Sequence, residues 1–301
     1  MILGSFAALA LLAAEPPAQG AAAHGAAEAA VSQPGPAEIL MHHVVDARWG
    51  DLVIGPVNLG PTKHLLFFGV AAALVIVVIR LAMRSYQKGI PSGLGAAVEA
   101  LIVFVRDDIA EKNIGHDGRK FTPLLLSFFF IILVAALFGL VPMPSYDSKT
   151  GHFSLAAVTS TGNIAVTLGL AFVSFLAQQW GGISKFGVAR HFLGMVPPGM
   201  PKALLPIMIP VELIGMFTKP FALMIRLFAN MLAGHMVVTT LLLLIPLMAA
   251  ISTAFGIMMI PISLALGLFI MILEVLVAFI QAYIFTLLTA IFIGMYAHPA
   301  H

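Results

Sequence analysis

The last third of the chain sets the limits on everything else. Between residues 204 and 251 the only charged side chains are Glu212, Lys219 and Arg226, and between 252 and 297 the only one is Glu274. Each stretch is roughly twice the ~20 residues that cross a bilayer once, yet no charged loop divides either of them. Two long, strongly tilted helices forming a hairpin satisfy this pattern. Four short spans with uncharged turns near Pro220 and Pro261 are the competing arrangement. Pro210, Pro220 and Pro261 are the positions where such helices start or kink.

Composition agrees with a chain dissolved in lipid. Of 301 residues, 60% are hydrophobic and 9% charged, and the mean hydropathy is +1.05. A soluble domain carries roughly 25% charged residues. Continuous apolar runs, in place of short alternating segments, point to helices and not to a barrel. The expected fold is therefore all-α and polytopic, with about five transmembrane segments and one amphipathic interfacial helix. The basic residues are scattered and the net charge is only +2, so no nucleic-acid partner is expected. With no cysteine, disulfides, thiolate metal sites and cysteine nucleophiles are excluded.

In chain order, residues 1–39 form an N-terminal segment: a short apolar run, signal-like in length but without a basic start, then an Ala/Pro-rich stretch expected to be disordered. Residues 40–298 form the membrane domain, which opens on an interfacial segment. Spans are expected at about 65–83, 121–141, 157–180, 204–251 and 252–297. Arg80, Arg84 and Lys88 follow the first span, which places that end in the cytoplasm and the N-terminus outside. From Pro91 to Asn113, Ala97, Leu101, Val105 and Ile109 recur at helical spacing beside Glu99, Arg106, Asp107, Asp108 and Glu111, the pattern of a helix lying on the inner surface. The segment VPMPSYDSKTG after the second span reads as an external loop. The third span carries Asn163, Thr167 and Ser174. No internal repeat is visible, which weighs against a transporter built from inverted repeats.

Arg226 lies deep inside an apolar run, where a fixed charge costs about 2.5–3.5 kcal/mol or more. Asn230 follows one turn later, ~40° around the helix, while His235 points ~180° away. Glu274 and Gln281 are seven apart and share a face to within ~20°. Arginine cannot release its proton, so it serves as a charged barrier and an attractor of carboxylates. Histidine and glutamate can accept and release protons, so they suit a proton route. The plainer readings are an internal ion pair between Arg226 and Glu274 or Glu212, a packed histidine at His235, and water-facing roles for Glu212, Lys219 and Asn163 near span ends. Met208, Met216, Met224, Met231 and Met236 read as packing and not as a metal site. HExxH is absent, as is a GxxxxGK[ST] phosphate loop, so neither zinc proteolysis nor nucleotide chemistry is expected of this chain. It requires no metal or cofactor of its own.

At RLFANMLAGH the sequence resembles subunit a of the F-type ATP synthase, and LEVLVAFIQAYIFTLL at 273–288 resembles the last helix of that family. The two motifs fall in family order and at family-like separation. The weaker resemblance runs from about residue 40 to 298. It implies that Arg226 corresponds to the essential arginine facing the rotor, Asn230 to its companion amide, and Gln281 to the glutamine near that arginine. Asn163 corresponds to a polar residue of the outer half-channel and Glu212 to an acid toward the cytoplasmic outlet. Many bacterial members have an acid at the position of His235 and a histidine at that of Glu274. Here the two are exchanged, which keeps one acid and one imidazole. Some members also carry Asn and Asp where this chain has Ala136 and Gly139. The implied partners are a ring of c subunits, peripheral-stalk b subunits, the remainder of the ATP synthase and the lipid bilayer. The implied location is the bacterial inner membrane, with the C-terminus cytoplasmic and a role in proton transport, not catalysis by the chain alone. A proton-coupled transporter and a purely structural membrane protein are the rival classes.

Overall fold

The computed structural model describes residues 53–54, 57–58, 63–86, 93–141, 143–146, 153–156, 160–187 and 205–297. The N-terminal segment 1–39, most of the interfacial segment after it, the start of the expected third span at Ala157, and residues 188–204 lie outside them. Helix dominates: α1 is Lys63–Tyr86, α2 Leu94–Val103, α3 Gly118–Gly139, α4 Ile164–Phe186, α5 Leu205–Ile251 and α6 Thr253–Ala297. Five helical stretches are long and apolar enough to cross a membrane, with α2 and α3 together counted as one. The protein is a polytopic, nearly all-helical membrane protein.

Two short antiparallel hairpins interrupt the helical pattern. β1 (Val53–Ile54) pairs with β2 (Val57–Asn58), and β3 (Met143–Tyr146) with β4 (Phe153–Ala156), Met143 standing opposite Ala156. The segment expected to be a plain loop thus contains paired strands. That pairing satisfies backbone groups which a Pro-containing stretch cannot satisfy as helix. It also delays α4, which begins at Ile164 and not near Ala157. Asn163 caps it, its side-chain Oδ1 accepting a hydrogen bond from the Ala165 N–H at 2.8 Å, which is the ordinary work of an N-cap amide.

The long apolar stretches are continuous helices of 47 and 45 residues. They run unbroken through Pro210, Pro220 and Pro261, so the arrangement of four short spans does not occur. At this length a bilayer is matched by tilt and not by perpendicular crossing. Only Ser252 separates the two helices, and it takes part in both ladders: its N–H donates to Met248 O at the end of α5 and its carbonyl oxygen accepts from the Gly256 N–H at the start of α6, both at 3.1 Å.

The described residues group into two compact units. One takes in residues 139–158 and 230–276, including the end of α5 and the start of α6. Within it the chain doubles back closely. A Cβ built on Gly256 would lie 2.6 Å from the Ala249 Cβ, so only glycine admits the approach.

The other unit takes in 64–138, 159–229 and 277–301 and holds the main core. Val105, Ile109, Leu125, Phe129, Ile132, Leu227, Phe285 and Ile293 are almost wholly buried there. Phe128 meets Phe285 edge-on with ring centroids 5.4 Å apart, and Phe129 meets Phe279 at 5.8 Å, geometries that favour the aromatic quadrupole. The amphipathic helix forms as expected and buries Val98, Val105 and Ile109. Its second half, Phe104–Glu111, is wound as a π-helix, which residue spacing did not reveal. Its charges turn outward and pair: Arg106 with Asp107 and Lys112 with Asp108, each at 2.5 Å, and Arg119 with Glu111 at 3.0 Å. Asp117 accepts from Lys120 at 2.9 Å and from Lys185 at 3.2 Å, tying the start of α3 to the end of α4.

Near its C-terminus α6 presses against the end of the amphipathic stretch, at Asn113. A Cβ on Gly294 would run into the backbone carbonyl oxygen of Asn113, whereas one on Gly69 would meet nothing within 4 Å. Backbone cannot rotate away as a side chain can. Gly294→Val is therefore expected to destabilise the protein by about 1–3 kcal/mol, while Gly69→Ala, which meets no atom within 4 Å and gains helix propensity, stabilises it by up to about 1 kcal/mol. Thermal unfolding of the detergent-solubilised protein checks both.

Candidate functional site

Helix α5 sorts its side chains by face. Met216, Leu223, Met224, Leu227 and Met231 are buried, Leu227 completely. Of the five methionines expected to pack, these three do, while Met208 and Met236 are half-buried. Val211, Ile214, Phe221 and Ile225 are exposed, and Arg226 is exposed with them. Its flanks on that face are small: Ala222, Ala229 and Ala233 are exposed as well. The salt bridges among the described residues gather on residues 106–120 and 185, and none involves Arg226. No hydrogen bond to Arg226 occurs among the described residues either. The internal ion pair with Glu212, open from the sequence, is not formed. The guanidinium instead stands on an outward apolar surface, where its five donors and its charge are available to something outside the chain.

Seven and fourteen residues before Arg226, close to the same line along the helix, stand Lys219 and Glu212. Both are half-buried. Lys219 does not simply face water. Its Nζ lies 5.5 Å from the ring centre of Phe292 and 5.3 Å from that of Tyr296, both on α6, a pair of cation–π contacts. Gln281, also on α6, is buried to 5% exposure. Asn163 is placed as the cap of α4, a structural duty that the sequence did not reveal. All of these residues belong to the unit that holds the main core.

The remaining candidates lie in the other unit. Glu274 is 7% exposed. Its Oε1 is buried and has no hydrogen-bond partner among the described residues, which leaves a lone pair open to a proton, a water or an incoming donor. Asn230 and His235 are half-buried. The residue next to His235 explains how the carboxyl fits. A Cβ on Gly234 would lie 2.5 Å from Glu274 Oε1 and 2.9 Å from its Cδ. Gly234 is thus the floor of the carboxyl's place, and His235 stands beside that floor. The sequence analysis passed over Gly234, although a glycine inside a helix between Ala233 and His235, where it costs about 1 kcal/mol against alanine, was a signal of close approach. No group of three or more His, Asp or Glu side chains suited to a metal ion occurs among the described residues.

Among the described residues the geometry offers an outward-facing cation without an ion pair in one unit, and in the other a buried carboxyl whose Oε1 has no hydrogen-bond partner, beside a histidine. Comparison with known proteins gives this set a family. The model of the family described as "ATP synthase A chain" matches residues 65–294. The chain belongs to that family. Among its relatives, ATP synthase subunit a of Anaeromyxobacter sp. (strain Fw109-5) is 45% identical over 257 residues, covering 84% of this chain and 58% of that one. The subunit a of Chloroherpeton thalassium is 41% identical over 277 residues, 87% and 77% of the two chains. "ATP synthase subunit a 2" of Prosthecochloris aestuarii is 37% identical over 304 residues, 96% and 88%. The chain thus spans less than two thirds of the length of the Anaeromyxobacter relative. The family match takes in every candidate residue named above, from Asn163 to Gln281.

The packing of Gly234 on Glu274 yields a stability test. Gly234→Ala is expected to cost about 1–3 kcal/mol through overpacking. In a Glu274→Ala background the same change should cost little, because the crowding carboxyl is gone. A thermodynamic cycle on the four proteins measures the coupling, and equal costs in both backgrounds would show that the carboxyl is not what Gly234 accommodates.

Proposed function

We propose that the chain is the stationary, proton-translocating subunit of an ATP synthase membrane sector, in the inner membrane of a bacterium, with its N-terminus outside and its C-terminus in the cytoplasm. The observation that carries this reading is the exposed Arg226. A guanidinium on an apolar helix face, with no ion-pair or hydrogen-bond partner among the described residues and small residues around it, suits a close-packed neighbour that brings a carboxylate. A ring of c subunits, each with one carboxylate at mid-membrane, is such a neighbour. Peripheral-stalk b subunits and the rest of the synthase complete the assembly, and the chain makes no ATP alone.

In this mechanism protons enter from outside through a half-channel that includes His235, Glu274 and Asn163. A proton passes to one ring carboxylate, which is then neutral and can enter lipid at far smaller cost than an ion. The ring advances by one subunit. Beyond Arg226 a second half-channel, passing Glu212, releases the proton to the cytoplasm. Arg226 stabilises the emptied carboxylate and closes the direct path between the half-channels, because a guanidinium does not hand on a proton. Asn230 and Gln281 hold its geometry. The drive is about 2.3 kcal/mol per charge per 100 mV, so several protons are spent for each ATP.

Two measurements test this. In inverted membrane vesicles, Arg226→Ala is expected to assemble, by the amounts of co-purified subunits, and to lose ATP-driven acidification entirely. Normal pumping would remove the reading at its centre and favour a solute transporter. The exchange of acid and imidazole makes the second test. His235→Glu and Glu274→His should each lower proton flux by ten-fold or more, on the order of what a general acid or base contributes. The double substitution should recover much of the loss, and failure to recover would separate these two residues into independent roles.

A further inference from the structure

Inside the main core, a row of polar side chains joins α4 to α6. Ser174, Gln178 and Thr289 are each 0% exposed. Ser174 Oγ and Thr289 Oγ1 lie 2.9 Å apart across 115 positions of sequence. Gln178 Nε2 donates to Ser174 Oγ at 3.1 Å, and Thr289 Oγ1 donates to the carbonyl oxygen of Phe285 at 2.8 Å.

Counting hydrogens fixes the direction of every bond. A threonine hydroxyl has one hydrogen, and here Phe285 O receives it. Between Ser174 and Thr289, therefore, the serine must donate. Its oxygen is then left to accept, so the amide group facing it must be the NH2 and not the carbonyl of Gln178. The result is a one-way chain, Gln178 to Ser174 to Thr289 to Phe285, with the amide orientation set by the hydroxyls and not by choice. The other end of Gln178 bears the consequence. Its Oε1 is buried with no hydrogen-bond partner among the described residues, an expense accepted where the rest of the row is required.

We propose that this row is a clamp that fixes the depth and rotation of α6 against α4, and that Ser174, Gln178 and Thr289 are positioning residues for Gln281. The proposal rests on the proton-translocating reading above. Apolar contacts between helices in lipid have no net hydrophobic drive and little direction. The Ser174–Thr289 bond is a directional contact that crosses between these two helices within the core. Gln281 lies eight residues earlier on α6, about 12 Å along the axis. A slip of one residue would move it by about 1.5 Å and ~100°, off the buried face it occupies, and would strand the Ser174 hydroxyl in an apolar core. A helix that holds station beside a turning partner needs such a stop.

The test uses the whole complex in inverted vesicles, reading acidification per assembled complex beside ATP hydrolysis. Thr289→Val keeps shape and removes the hydroxyl. It is expected to lower acidification about three-fold to twenty-fold, the range of single interhelical hydrogen bonds in membranes, while Thr289→Ser stays within about two-fold of wild type. Wild-type pumping by the valine variant, or a loss by the serine variant as large as that of valine, overturns the clamp. If the valine variant does not assemble, a Ser174→Cys, Thr289→Cys pair decides, since the chain has no other cysteine. Pumping when oxidised and its loss on reduction support the clamp. Equal pumping in both states, or no disulfide, overturns it. Arg226→Ala separates the two proposals: if that variant is silent while Thr289→Val pumps normally, only the clamp fails.

Discussion

A polar group in hydrocarbon must find a partner, and the architecture follows from where each one does. The backbone solves the problem by winding into helices so long that Pro220 and Pro261 are absorbed without a break. Surface charges solve it by pairing with near neighbours, as Arg119 does with Glu111 and Lys185 with Asp117. Thr286 and Thr289 solve it by donating to the carbonyls four residues back. Arg226 and the Oε1 of Glu274 do not solve it among the described residues, and both groups can carry charge in the middle of apolar helices.

These two exceptions differ in kind. Arg226 is on an exposed face among alanines, so what it lacks must come from outside the polypeptide. Glu274 is buried against Gly234, so what it lacks must be small enough to reach it there. On the proposed function, the permanent cation is met by an anionic neighbour and the enclosed carboxyl exchanges a proton. Lys219 shows the contrast. It too is a cation on α5, but two aromatic rings of α6 already face it, and nothing further is required of it.

Glycine sets the approach distances on which this depends. Gly234 admits the Glu274 carboxyl, Gly256 admits Ala249 at the helix reversal, and Gly294 admits the backbone at Asn113. Each lies within a helix, where glycine is a poor former, and each is repaid by packing that no other residue allows. The hydroxyl row between α4 and α6 complements them, supplying direction where close packing supplies only proximity.

The sequence by itself determined the class and the outline. Hydropathy and the absence of dividing charges gave five apolar helical stretches and the long final pair, because the bilayer imposes a length and a polarity that can be read without coordinates. The expense of Arg226 and Glu274 was legible for the same reason, and their spacing to Asn230 and Gln281 followed from helical period. Tertiary structure decided what pairing decides. Which face of α5 turns outward, that Asn163 is a cap, that β3 and β4 form a hairpin, that Phe104–Glu111 winds as a π-helix, and that Gly234 makes room for Glu274 depend on contacts between residues far apart in the chain. A one-dimensional pattern records the cost of a buried group, but only the packed helices show whether that cost has been met.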